Sequence, residues 1–184
     1  AAVHMEAEWR RDDPVAETRW VQGIAERHGF PNAIVAQAWF GDDNIAEVLS
    51  AHAAFPLVRG VRQKPPAAQT PDQVVRGVPL SMDDPIWRDG YALLARHDMS
   101  YDLQTPYWHL PEAAELARDF PATTIILDHT GLPVDRTTEG LSAWRRALEE
   151  FAEASNTCLK ISGLGIAARP WRVEENRPII EDAI

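Results

Sequence analysis

Short segments with the pattern of strands alternate along the chain with longer amphipathic segments. The short segments are apolar, or alternate apolar and polar residues, and most are flanked by residues that favour turns. They lie at residues 2–8, 33–40, 57–63, 99–105, 124–129 and 157–162. Between them apolar residues recur at helical spacing, as Trp20, Val21 and Ile24 do. The pattern therefore predicts about six strand–helix units.

Four residues have the side chains that commonly begin helices. Asp13 and Asp84 each precede a proline, which suits the first turn of a helix because its missing N–H would have had no partner there. Asp43 and Asn176 can accept hydrogen bonds from first-turn N–H groups. We expect a helix to begin at each of these four positions.

Strands that alternate with helices of this length are typical of parallel βαβ units. An open doubly wound sheet usually has a Gly-rich phosphate loop after its first strand, and none occurs here. We therefore expect an α/β fold, the (β/α)8 TIM barrel. Such a barrel needs eight strands and commonly about 200 residues or more. We expect residues 1–184 to form a single, incomplete barrel domain in which the two end strands, 2–8 and 157–162, are each unpaired on one side.

Composition narrows the classes of partner. The formal net charge is −10 and the 18 basic residues are dispersed, so the chain lacks the clustered Lys and Arg of a nucleic-acid-binding surface. Cys158 is the single cysteine, which excludes an intrachain disulfide and a Cys-rich zinc site. The sequence has neither a long apolar span nor a signal-peptide pattern. We therefore expect a cytoplasmic protein with neither a nucleic-acid nor a membrane partner.

Polar residues near the C-terminal ends of barrel strands are either site residues or members of an interior network. Alternation along each strand turns one set of polar residues towards the barrel interior. This set consists of His4, Glu6, Glu8, Gln37, Arg62, Asp102, Gln104, Lys160 and Ser162. His129 ends its strand and is followed by a turn, where barrel chemistry is found. We expect Arg62, Gln104, His129 and Lys160 to share one cavity, which the connection 64–83 would cover.

Each candidate also has a structural interpretation. His129 is as compatible with a structural hydrogen bond as with a role as ligand or base. Arg62 can pair with Glu6 or Asp102 in an interior ion network. Lys160 is either charged and paired or has a pKa lowered by burial. Glu6 fits a structural role better than a catalytic one.

Several motifs together resemble the amidohydrolase-related family of TIM-barrel metal-dependent hydrolases, within it the sugar-lactone and pyrone-dicarboxylate lactonases. They are Glu6-Ala7-Glu8 leading to Ala16-Glu17-Thr18-Arg19, Gly60-Val61-Arg62-Gln63, Tyr101-Asp102-Leu103-Gln104, the segment Ile126 to Pro133, and Lys160-Ile161-Ser162-Gly163-Leu164. The likeness covers nearly the whole chain in order. It implies that the chain supplies strands two to seven of the barrel, and that the His-x-His of the first strand and the late Asp of the eighth lie outside residues 1–184.

The resemblance also implies roles. His129 matches a mid-barrel histidine that acts in catalysis or binds a metal ion, and Arg62 matches an arginine that holds a substrate carboxylate or carbonyl. Gln104, a poor metal ligand, stands where some relatives have a histidine. The site would therefore hold one divalent metal ion, zinc or manganese, or work without a metal.

Ring-opening of a lactone by activated water is the leading functional hypothesis. His129, Arg62 and Lys160 would be the catalytic residues, and Gln104, Arg62 and Glu6 would bind the substrate, a small anionic or sugar-derived molecule. One alternative is non-oxidative decarboxylation, which relatives in the same superfamily perform. Another is a non-catalytic barrel that has lost its metal ligands. Self-association into a homo-oligomer remains open.

Overall fold

The computed structural model describes residues 1–166 and 168–184. Six strands form one parallel sheet in which each strand pairs with the next along the chain. The strands are β1 (Val3–Met5), β2 (Ala33–Gln37), β3 (Val58–Arg62), β4 (Ser100–Leu103), β5 (Ile125–Leu127) and β6 (Thr157–Leu159). This consecutive parallel order is that of a TIM barrel, of which the chain forms a part, so the predicted fold is confirmed.

One α-helix follows each strand along the chain. They are α1 (Pro14–His28), α2 (Ile45–Ala53), α3 (Pro85–Ala92), α4 (Leu110–Asp119), α5 (Thr138–Ala152) and α6 (Val173–Asp182). Among the described residues, no helix combines the length and the apolar character needed to cross a membrane.

The helix starts follow the sequence in two cases of four. Pro14 and Pro85 are the first residues of α1 and α3, and the Asp84 carboxylate accepts a hydrogen bond from the N–H of Ile86. The prediction for Asp43 was wrong, because α2 begins one residue later, after Asn44. The prediction for Asn176 was also wrong: it lies inside α6 and its side-chain amide donates to the Arg172 carbonyl, 2.7 Å away.

The core lies between the outer face of the sheet and the helices. Val61, Tyr101 and Ile125 are neighbours in the strand register and are fully buried on this face. Phe40, Trp87, Tyr91 and Tyr101 pack against one another, mostly edge to face. The other face carries polar side chains, and it is there that the candidate site lies.

Every strand is shorter than predicted, and β1 differs most. It keeps only Val3–Met5 of the predicted 2–8, because the chain leaves the extended conformation beyond Met5 and Glu8 has a positive φ of 51°. The predicted inward orientation of His4 was also wrong. His4 points to the helix layer, with Nε2 2.7 Å from Glu17 of α1, while the Met5 sulfur lies 3.6 Å from Lys160 Nζ on the inner face.

Candidate active site

A row of polar residues crosses the inner face of the sheet near the C-terminal strand ends. The register places Gln37 of β2 beside Arg62 of β3, and Arg62 beside Asp102 of β4. Asp128 and Lys160 directly follow β5 and β6, so they reach the same end of the sheet one residue further on. Parallel strands thus bring together residues that are far apart in sequence.

These side chains form an ion cluster with Arg62 and Lys160 as its two cations. Arg62 Nε lies 2.6 Å from Glu6 Oε1, and its Nη2 donates to the Glu6 carbonyl at 2.9 Å. The third guanidinium nitrogen, Nη1, is 3.5 Å from Asp128 Oδ2. Lys160 Nζ is 2.8 Å from Asp128 Oδ1 and also contacts Asp102 Oδ1. Asp128 therefore links the two cations.

Burial within the cluster is uneven. The side chains of Glu6, Asp102 and Asp128 are at most 3% exposed, and that of Arg62 is 13% exposed. Lys160 is 37% exposed and is the cation that solvent reaches most easily. Buried carboxylates beneath a more exposed ammonium group hold that group at the surface of the cluster.

The neighbouring carboxylates of Asp102 and Asp128 keep Lys160 protonated. Burial alone would lower the pKa of Lys160, but hydrogen bonds and charges of Asp102 and Asp128 outweigh it, so its pKa is raised. Burial raises the pKa of Asp102, against the lowering effect of Lys160. Of the two interpretations made from the sequence, the charged and paired lysine is therefore the one that the structure supports.

His129 lies at the same rim but turns towards the loop after β6. Its Nδ1 is 3.1 Å from the Ser162 hydroxyl oxygen, and the ring is half-buried. Gln104, also half-buried, follows Leu103, whose carbonyl accepts the Asp128 N–H at 2.8 Å. In residues 1–166 and 168–184, no side-chain hydrogen bond connects His129 or Gln104 to the ion cluster.

Asp128 is the cluster member that the sequence analysis did not select. It lies two residues after Ile126, whose partners in the register are Asp102 and Cys158, so alternation along β5 puts it on the inner face. The alternation argument that selected Arg62 could therefore have identified Asp128 as well.

The model of the amidohydrolase family matches residues 1–184. The chain is 40% identical over 183 residues to the uncharacterized protein y4mH of Sinorhizobium fredii, covering 100% of this chain and 61% of that protein. It is 27% identical over 154 residues to an L-fucono-1,5-lactonase of Burkholderia ambifaria, covering 84% of this chain and 50% of that enzyme. The chain therefore spans half to three fifths of the length of these relatives.

Solved structures show the same likeness. An amidohydrolase of Burkholderia multivorans with bound zinc superposes with a TM-score of 0.77 at 25% identity, over 99% of this chain and 61% of that one. A 2,6-dihydroxybenzoate decarboxylase from Rhizobium superposes with a TM-score of 0.57 at 18% identity, over 94% and 63% of the two chains. The second likeness shows the fold alone.

The described residues do not by themselves fit a metal ion. Within them, no three or more His, Cys, Asp or Glu side chains are arranged so that they could hold a metal ion together. Asp102 and Asp128 both contact Lys160 Nζ, so an ammonium group already lies where a cation between these carboxylates would bind. His129 would supply one ligand, whereas a catalytic zinc site commonly has three protein ligands.

Proposed function

The chain belongs to the amidohydrolase family, and we propose on that premise that it forms the site of a hydrolase that opens a small polar lactone. The observation that carries the proposal is the Lys160 ammonium group, which is the most accessible cation of the cluster and is held by two buried carboxylates. A fixed, protonated donor of this kind stabilises the negative charge that develops on the carbonyl oxygen during attack by water.

In the proposed mechanism, lactone hydrolysis is assisted by a small set of side chains at the strand ends. Water adds through its oxygen to the lactone carbonyl carbon, and the carbonyl electrons form an oxyanion beside the Lys160 ammonium group. The ring C–O bond then breaks, and the proton that the water loses ends on the ring oxygen, giving a hydroxy acid. His129 polarises the carbonyl, Arg62 and Gln104 orient the substrate, and Glu6, which is buried, acts by holding Arg62.

The charge of the cluster supports a neutral, sugar-derived lactone rather than an anionic one. Arg62 and Lys160 face three carboxyl groups, so two cations leave no uncompensated positive charge for a substrate carboxylate. The similarity to an L-fucono-1,5-lactonase points the same way. A decarboxylase substrate carries a carboxylate, which this balance of charge disfavours.

The test compares three substrates on the intact protein: L-fucono-1,5-lactone, 2-pyrone-4,6-dicarboxylate and 2,6-dihydroxybenzoate. We expect acid release from the first substrate. Lys160→Met should lower kcat about 100-fold, because one oxyanion donor is lost. Lys64→Met is the matched control, since the chain has no other lysine and Lys64 pairs at 2.8 Å with the exposed Glu8.

Three results would count against the proposal. Release of CO2 from the aromatic acid without lactone opening would favour the decarboxylase. Turnover of the dicarboxylate alone would contradict the argument from charge. Saturable binding of a lactone without turnover would favour a non-catalytic barrel.

A further inference from the structure

The backbone around His129 adopts a conformation that side chains other than glycine rarely take. The φ angles of His129 and Thr130 are 55° and 56°, in the left-handed region. Such a conformation persists where surrounding contacts hold it, and it is concentrated at functional sites. The contacts that hold it here come from the loop after β6.

Thr130 joins the two loops. Its N–H donates to the Lys160 carbonyl at 3.0 Å, and its hydroxyl donates to the Ser162 carbonyl at 2.8 Å. The same hydroxyl accepts the Ser162 N–H at 3.2 Å. Thr130 is fully buried, and its own carbonyl accepts the indole N–H of Trp144 at 2.8 Å. The position of His129 relative to Ser162 is therefore fixed by hydrogen bonds that do not involve the imidazole.

The Ser162 hydroxyl meets the imidazole directly. Ser162 Oγ lies 3.1 Å from His129 Nδ1, and it has no other hydrogen-bond partner among the described residues. A hydroxyl group in this position donates to Nδ1 when no other acceptor is within reach, and the neutral ring then carries its proton on Nε2.

Gly163 completes the contact. Its φ is 68°, and a Cβ atom added there would lie 2.5 Å from the Cβ of His129. A side chain at this position would displace either the imidazole or the loop. The residues directly after β6 thus determine both where the ring lies and which of its nitrogens faces Ser162.

We propose that Ser162 is a positioning residue for His129, whose neutral ring it holds in the Nε2–H tautomer by donating to Nδ1. In that tautomer Nε2 is a hydrogen-bond donor, so His129 polarises the substrate carbonyl and does not take the proton of the attacking water. The catalytic half of this inference, the role of His129 as a donor to the carbonyl, rests on the proposed lactone hydrolysis. The assignment of the tautomer does not depend on that function.

The tautomer is measured on the intact protein with 15N-labelled histidine. Two-bond 1H–15N spectra recorded at alkaline pH should show His129 with Nδ1 unprotonated and Nε2 protonated, and His129→Asn assigns the signal. Ser162→Ala should shift these resonances towards a mixture of tautomers, and Ser162→Thr, which retains the hydroxyl, should restore them. Ser142→Ala, on α5, is the control. A wild-type ring protonated on Nδ1 would overturn the proposal.

Kinetics test the catalytic half. Ser162→Ala should lower kcat by about tenfold or more with a smaller change in KM, and Ser162→Thr should recover most of the loss. Gly163→Ala should give a similar loss, while Gly165→Ala, where an added Cβ meets nothing within 4 Å, should not. An unchanged kcat in Ser162→Ala would reject the positioning role. If the tautomer responds as expected but no lactone is opened by the wild type, the proposed function fails and the tautomer assignment stands.

Discussion

His52 shows how one buried side chain links the helix layer to the end of a strand. The sequence places it on the apolar side of α2, and the structure buries it completely. Its Nε2 donates to the Gln37 carbonyl at 2.9 Å, so Nδ1 is the acceptor and takes the Thr18 hydroxyl at 3.1 Å. Burial lowers the pKa of His52, against the raising effects of Gln37 and Glu17, so the ring is neutral at neutral pH.

This residue predicts a loss of stability in acid. Because the folded-state pKa of His52 lies below its unfolded value of 6.5, its contribution is complete above pH 6.5 and is lost as the pH falls through the folded pKa. Urea unfolding at pH 7.5 and at lower pH values should show a steeper decline in the free energy of unfolding for the wild type than for His52→Gln. His28→Gln, at an exposed position, should decline like the wild type. Parallel declines in all three proteins would contradict this assignment.

At the scale of elements, hydrogen bonds join the connection 64–83 to Trp108 and His109, which directly precede α4. The Ala68 N–H donates to His109 Nε2 at 2.9 Å, and the Ala68 carbonyl accepts the Trp108 indole N–H at 3.0 Å. Glu112 of α4 lies 2.6 Å from the other ring nitrogen of His109. Since a backbone N–H can only donate, Nε2 of His109 must accept, and Nδ1 donates to Glu112.

Removing this acceptor should loosen the connection. His109→Leu leaves the Ala68 N–H unpaired, at a cost of about 1 kcal/mol, so amides in residues 64–83 should exchange roughly fivefold faster in hydrogen-exchange mass spectrometry. His97→Leu, a half-buried histidine after α3, serves as the control. Exchange at the wild-type rate in His109→Leu would show that the contact does not hold the connection.

At the scale of the whole molecule, the sheet has two open edges. In the part of the chain that the structure describes, β1 pairs with β2 only and β6 with β5 only, as the sequence predicted. Val3 on β1 is 58% exposed and Cys158 on β6 is also exposed. Unpaired edges with exposed apolar groups are sites of self-association.

The 184-residue chain studied by itself should therefore self-associate. The net charge of −10 opposes association, so sedimentation should show more of it as salt screens the repulsion. Val3→Lys should reduce it, because a charged side chain blocks an edge strand, and Val134→Lys, at a similarly exposed position in a loop, should not. A salt-independent monomer, or an equal effect of both substitutions, would exclude the edges as the cause.

Alternation along a strand predicted correctly which side chains point to the interior where the strand is long enough to maintain that alternation. Alternation along β3 turned Arg62 towards the interior, and the structure places Arg62 in the ion cluster, whereas Arg59 is exposed and donates to nearby carbonyls. In β1 the same argument failed for His4. The strand ends at Met5, so the inward position of Glu6 does not imply that His4, two residues earlier, points inward as well. Glu6 reaches Arg62 only because the chain bends after Met5.

The sequence by itself determined the series of strand–helix units, since periodicity reflects hydrogen bonding and burial within each segment. It also determined which residue types lie near the strand ends. The tertiary structure decided their partners: Asp128 between Arg62 and Lys160, and Ser162 against His129. These pairs are 32 to 66 residues apart in sequence, and they depend on strand register and on left-handed backbone angles that no local pattern specifies.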